Sequence, residues 1–318
     1  MAKIVSTYQR VRSWDQAGRI VAVLISVLAV ALLGSTPGAA DQKSFATPEA
    51  AAAALIDAMG AEKGPELLDI LGAEYKDILI GGDLNAALKS RNRAAAAARD
   101  FNELRDDGEG RKTLVIGIRR WPVPFPIVKE GDLWHFDTEA GLEELINRRV
   151  GRNELNAIEI CGHYVDAQVE YASKDRNGNL VLEYAQMLIS RDGKRNGLYW
   201  DSEEDEDESP FGPLIGDARA YLTGAEPSNP FNGYHYKILT RQGAAAIGGR
   251  YDYIINGNMI AGFALIAFPA DHGNSGVMTF ICSHTGRVHQ RDLGEDGDLI
   301  AGAMNVYNPD QSWALVED

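Results

Sequence analysis

The stretch from Thr138 to Ala172, TEAGLEELINRRVGRNELNAIEICGHYVDAQVEYA, constrains the fold of this chain most. It reads as two helices meeting at Gly151, placed where one fold ends and another begins. From Asn153 onward the apolar positions are Leu155, Ile158, Cys161, Val165, Val169 and Ala172, whose steps of three and four mark one helical face. Gly162 inside that face costs about 1 kcal/mol relative to alanine, which tertiary packing has to offset. The expectation is a small α+β domain before this stretch, residues 41–150, and a helix laid on an antiparallel sheet after it, residues 151–318.

The first forty residues set the compartment. Lys3, Arg10, Arg12 and Arg19 precede an apolar run from Ile20 to Leu33, and Gly38-Ala39-Ala40 supplies small residues before Asp41. That order is a secretory signal peptide over residues 1–40. The run of 14 residues is short of the roughly 20 that a membrane span needs. The alternative is an uncleaved anchor. With the leader removed, 27 basic residues face 45 acidic ones, a net charge of −18 against −15 for the whole chain. A chain this acidic repels phosphate backbones and anionic lipid surfaces, so nucleic acid is excluded as a partner and stable membrane insertion is not expected. The expected location is the periplasm or the medium, and the expected partner another envelope or exported protein.

Within 41–150, Thr47-Pro48-Glu49 opens a helix by capping, a first-turn proline and a first-turn acid. Further helices are read at Gly64–Leu71 and Asp83–Ala98. The period then changes to two. Lys112–Arg119 is a strand, the proline-laden Trp121–Val128 an edge strand, and Leu133–Asp137 a third strand after a turn. Helices followed by this meander resemble the cone-shaped domains typified by nuclear transport factor 2. The resemblance implies a pocket between sheet and helices, with Trp121, Phe125, Trp134 and Phe136 as lining or as plain core.

Beyond residue 172, Tyr184–Ser190 reads as a strand or short helix. Asp201–Glu208 holds seven acids in eight positions, a solvated loop or a cation-binding one. A helix is read at Leu214–Leu222, then strands at Tyr234–Leu239, Tyr251–Ile255, Gly262–Phe268, Val277–Cys282 and Arg287–Leu293, the last two joined as a hairpin. The fold class is α+β. "GYHYKIL" followed by "GFALIAFPADHGNSGVMTFICSHTGRV" resembles the C-terminal half of pseudopilin-like globular domains, with the intervening first domain as a departure from a true pilin. The landmarks "WPVPFPIV", "WHFDTEAGLEELINRRVGRNEL", "YVDAQVEYA", "GLYW", "SPFGPL", "NGNMIAGFAL" and "GNSGVMTF", spread from Phe45 to Trp313, resemble a bacterial exported family of unknown function (domain of unknown function 2950). That resemblance implies export and a shared fold and carries no activity.

No strong catalytic signature is present. Gly273-Asn274-Ser275-Gly276 with His272 beside it is similar to a serine-protease turn, but the Gly-x-Ser-x-Gly elbow is absent and adjacent His and Ser seldom aim at each other. The six histidines form no HExxH or His-x-His pattern, and no cofactor or metal is expected. Glu143, Glu144, Glu154 and Asp166 are paired carboxylates or partners for Arg148, Arg149 and Arg152. The cluster Arg148-Arg149-x-x-Arg152-Asn153-Glu154 is a clamp for an acidic ligand or a polar pin between domains. Cys161 and Cys282, the only cysteines, either pair or sit as free core thiols; helix-on-sheet packing should bring them close. Three functions follow as expectations: a non-catalytic, exported, envelope-associated or interaction protein; an exported hydrolase of cell-wall or peptide material; or a small-ligand binder using the first domain's pocket with Trp121 and Trp134.

Overall fold

A computed structural model describes residues 42–60, 64–79, 84–200, 208–212 and 230–317. The leader expected at residues 1–40, the acidic run up to Asp207 and the helix expected at Leu214–Leu222 lie outside the described residues.

The first helix, α1 (Pro48–Met59), begins where the capping chemistry puts it, with the Thr47 hydroxyl accepting from Ala50 N at 3.2 Å. α2 (Gly64–Leu71), the short α3 (Lys76–Leu79) and α4 (Leu84–Asp100) follow. The antiparallel sheet next to them contains β1 (Asn102–Asp106), β2 (Arg111–Ile116), β3 (Trp121–Pro122), β4 (Ile127–Glu130) and β5 (Leu133–Phe136), in the order β1-β2-β4-β5 with β3 paired to β2. Leu55, Leu71, Leu114, Ile127 and Phe136 form the centre of this first core.

Trp121–Val128 is therefore not one edge strand. Its prolines break it into β3 and the start of β4, and β4 lies inside the sheet because its ladder uses Ile127 and Val128, after the last proline. One end of the strand order is β1, whose Asn-Glu-Leu-Arg-Asp has one apolar residue. Charged side chains on an edge discourage pairing with other chains, and they also hide the strand from an apolar pattern.

The long helix α5 (Thr138–Tyr171) is continuous, with no break at Gly151. Asp137 caps it through Ala140 N at 3.1 Å. At 1.5 Å per residue it extends about 50 Å. Its first turns pack on the first core and its second half on another, so anchorage at both ends outweighs the roughly 1 kcal/mol each that Gly151 and Gly162 cost. The buried stripe of the second half is Ala157, Cys161, Tyr164, Gln168 and Tyr171, rotated from the expected face: Leu155 and Val169 are exposed, at 66% and 59%.

After α5, residues 173–200 form a loop with isolated bridges from Tyr184 to Met259 and from Ile189 to Tyr199, so Tyr184–Ser190 is neither a full strand nor a helix. The second core sits under an antiparallel sheet of β6 (Tyr234–Leu239), β11 (Ala264–Pro269), β12 (Met278–Ser283), β13 (Val288–Asp292) and β15 (Ala314–Leu315), in the order β15-β13-β12-β11-β6. β11 is inside this sheet and wholly buried, as its unbroken apolar run demands. The Tyr251–Ile255 segment divides into β8 (Tyr251–Asp252), paired with β7 (Arg241–Gln242), and β9 (Ile254–Ile255), paired with β10 (Asn258–Met259). The helix α6 (Gly297–Ala303) and β14 (Val306–Tyr307) complete the chain. The protein is α+β, with two cores inside one compact unit spanning Asp41–Asp318. No helix of the described residues is long and apolar enough to cross a membrane.

Candidate functional site

The polar residues of α5 meet the loop between β11 and β12. Arg149 donates from Nε to Asn274 O at 3.0 Å and from Nη2 to Asn274 Oδ1. Asn153 Nδ2 donates to Ser275 O at 2.8 Å. One oxygen of Glu154, Oε1, accepts from both Val277 N, at 3.0 Å, and Met278 N, at 2.9 Å. The two sequence clusters, more than 120 residues apart, thus form one structure. It is a pin, but to loop backbone and an Asn side chain rather than through Arg–carboxylate pairs. Two glycines permit the close approach: a Cβ at Gly233 (φ +77°) would stand 2.5 Å from Asn153 Nδ2, and one at Gly276 would stand 2.2 Å from the Tyr234 hydroxyl.

Within that loop the Ser275 hydroxyl accepts from Asp271 N at 3.0 Å and lies 3.1 Å from Asp271 O, to which it donates. His272 points to another partner, with Nε2 2.9 Å from Asp292 Oδ1. Ser275 and His272 thus use these bonds to brace the loop at two points. Arg152 is exposed, without a hydrogen bond or ion pair among the described residues. Replacing Glu154 by alanine should strand two N–H groups and lower unfolding stability by about 2–3 kcal/mol, whereas Glu154→Gln, which keeps an acceptor oxygen, should lose less than half of that. Urea unfolding of the two variants measures the difference.

A cavity of about 380 Å³ lies between the meander and the first turns of α5. Its walls carry Arg105, Asp107 and Arg111 from the strands, and Glu143, Glu144 and Arg148 from the helix, with Pro122, Pro124 and Pro126 between them. Arg148 is held by Glu144 at 2.7 Å and Pro122 O at 2.8 Å, and it stacks over the Trp121 ring at 4.8 Å. Partial burial opposes ionisation of Asp107, but hydrogen bonds from Arg105 and Thr113 outweigh it and hold that carboxyl below its usual range. Glu143 and Asn147 are exposed and make no hydrogen bond or ion pair among the described residues, so they are open to an incoming group. A second cavity, about 570 Å³, lies between α1 and the end of α4 with β1.

Of the four aromatics read as possible lining, Phe125 and Phe136 are core, and Trp134 packs half-buried against that core while its backbone bridges Phe45. None of the four lines the cavity; Trp121 stacks on Arg148, which does. Arg105 on β1 and Asp107 just past it had no signal in the sequence, because β1 itself had none, and Arg111 opens β2 one residue before the strand read from Lys112. An ordered polar loop was also missed: Asp175 accepts from the N–H groups of Gly178, Asn179 and Leu180, and buried Glu183 accepts from Asn177, Asn179 and Met259 N. Among the described residues, no group of three His, Cys, Asp or Glu side chains is placed to hold a metal ion. Cys161 and Cys282 are buried free thiols, and the Cys282 thiol donates to Cys161 O at 3.9 Å.

Burial lowers the pKa of His235 and of His289. The unfolded chain then binds more protons than the folded one as pH falls below the ordinary histidine value of about 6.5, so both residues reduce stability on acidification. Asp292 is held below its usual range, because hydrogen bonds from Gly294 and His272 outweigh a burial that opposes ionisation. Its contribution is present above the ordinary carboxylate value and fades as pH falls past it. Urea midpoints should therefore fall continuously from pH 7 to pH 3; a midpoint rising towards pH 5 would contradict the histidine assignment.

No curated protein and no solved structure matches the chain. A family model described as "Protein of unknown function (DUF2950)" matches residues 42–316, which take in both cores, α5 and the cavity beside it, and the chain belongs to that family.

Proposed function

We propose that this is an exported, non-catalytic protein of the cell envelope that works by binding, with the cavity between the meander and α5 as its binding surface. The observation that carries this reading is the cavity itself. Three guanidiniums and three carboxylates face each other across a proline-lined space, and Glu143 and Asn147 are left open at its edge. Opposed charges on rigid walls suit a ligand that carries both a donor and an acceptor group, such as a peptide segment. The signal-peptide pattern of residues 1–40 supports export. The helix laid on an antiparallel sheet fits the pilin-like second half read from the sequence, which favours association with envelope assemblies.

A thermal-shift screen of peptides and cell-wall fragments tests the reading. A ligand that binds only the native state raises the melting temperature. The shift should vanish in Glu143→Gln and in Arg148→Ala. A shift unchanged in both variants would move the site elsewhere. The hydrolase alternative draws on the Ser275–His272 loop. Turnover of a hydrolase substrate, lost in Ser275→Ala, would replace the binding reading with that one. N-terminal sequencing of envelope material should start at Asp41; a chain retaining Met1 would refute cleavage.

A further inference from the structure

We propose that Cys161 and Cys282 form a disulfide whenever the chain folds in oxidising surroundings, fastening α5 to the central strands of the second sheet. These are the only cysteines of the chain, so no competing pairing exists within it. Cys161 lies in the buried stripe of α5 and Cys282 on β12, the strand paired with both β11 and β13. Both are fully buried, and the Cys282 sulfur sits 3.9 Å from the carbonyl oxygen of Cys161 itself. The Cys282 thiol is thus directed at the residue it would bond to, and the bond requires the two Cα atoms to lie within about 7 Å of each other.

The pair lies in a layer of ring and aliphatic groups that also holds Tyr164, Leu265 and Phe280. Burial, with Cys161 beside it, raises the Cys282 thiol well above its ordinary pKa. Both thiols are fully buried, so the folded, reduced pair is closed to reagents and the bond has to form before the core closes. The step is thiol–disulfide exchange with a disulfide-bearing oxidant, either a small-molecule disulfide or an oxidoreductase. One cysteine thiolate attacks the oxidant's S–S bond, giving a mixed disulfide and releasing one thiolate. The second cysteine thiolate then attacks the mixed disulfide, closing the Cys161–Cys282 bond and releasing the other thiolate. Both leaving thiolates take up the protons that the cysteines lost. The two cysteines are oxidised and the oxidant is reduced to two thiols. Its occurrence in the cell rests on the export reading, since only compartments outside the cytoplasm supply such an oxidant routinely.

The cross-link closes a loop of about 120 residues, which strongly restricts the unfolded chain. It should raise the melting temperature by roughly 10 °C over the reduced protein. The experiment refolds residues 41–318 in a mixture of oxidised and reduced glutathione, denatures in acid, and counts free thiols by maleimide mass tagging. No tags are expected, and two should appear after reduction in denaturant. Reductant added to the native oxidised protein should leave it untagged. The Cys161→Ala and Cys282→Ala variants should each take one tag and melt at the temperature of the reduced parent. Two tags on a refolded parent with native circular dichroism would overturn the proposal. So would bonding between molecules in place of within one, or two tags on protein recovered from the envelope. A chain found in the cytoplasm with residues 1–40 intact would refute export alone and leave the refolding result to decide the bond.

Discussion

Replacing Gln168 by alanine should lower the unfolding free energy by about 3–5 kcal/mol, enough to reduce the melting temperature by roughly 10 °C. Gln168 is the one fully buried amide on α5. Its Oε1 accepts from Ala185 N at 2.8 Å, and its Nε2 donates to Ala185 O at 2.9 Å and to the Tyr164 hydroxyl at 3.0 Å. Tyr164 in turn donates to Ala264 O at 3.2 Å. The side chain thus does for Ala185 what a neighbouring strand would do, within a loop that has only isolated bridges. Without it a buried N–H and a buried C=O both lose their partner, and each costs its desolvation penalty. Gln168→Leu fills the space and should still fail to restore stability. Gln168→Glu keeps the acceptor, but at neutral pH it buries a charge, so it should be the variant whose stability improves on acidification. Urea unfolding of the three proteins separates these outcomes. A loss under 1 kcal/mol in Gln168→Ala would show that the loop backbone finds other partners.

Gln168 also shows where the sequence stopped being readable. The steps Leu155, Ile158, Cys161, Val165 and Val169 trace an apolar stripe, but α5 buries a neighbouring one in which a glutamine and two tyrosines are satisfied by backbone far away in the chain. Apolarity alone cannot show that a polar residue has such a partner. Gly151 misled in a related way. Its intrinsic cost suits a break, yet a Cβ there would meet nothing within 4 Å, and the cores at the two ends of the helix decide the matter. The α+β order itself was legible, because the period changes from helical to alternating at the strand that begins near Lys112 and β11 is one apolar run. Half of the candidate site was legible as well. Arg148 is engaged at the cavity wall, and Arg149 and Asn153 hold the loop that contains Ser275. What no local pattern could give is most of the opposite wall, since Arg105 lies on, and Asp107 just past, a charged edge strand without alternation.

The second large effect is expected at Gly141, in the second turn of α5. A Cβ built there would lie 2.0 Å from Cδ1 of Phe125, 2.7 Å from Cε1 and 2.8 Å from Cγ, well inside contact distance. Two effects compete. Alanine gains about 1 kcal/mol over glycine in a helix interior, whereas forcing an extra carbon into a filled core costs roughly 1–3 kcal/mol and more when the neighbour cannot yield. Phe125 has little freedom to yield: it is buried in the first core, and Pro124 and Pro126 stiffen the backbone on either side. The clash should win, so Gly141→Ala loses about 1–2 kcal/mol and Gly141→Val about 3–4 kcal/mol. Trimming the ring should relieve it: Gly141→Ala combined with Phe125→Leu should be more stable than the sum of the two single losses allows, which a double-mutant cycle in urea measures. Pro124 and Pro126 also line the cavity, so any shift of Phe125 moves that wall. A ligand found in the thermal-shift screen should accordingly bind more weakly to Gly141→Ala even at temperatures where the variant is folded. A Gly141→Ala protein that melts at or above the parent's temperature would mean that the ring slides freely, and that the wall of the proposed binding surface is not held from behind by α5.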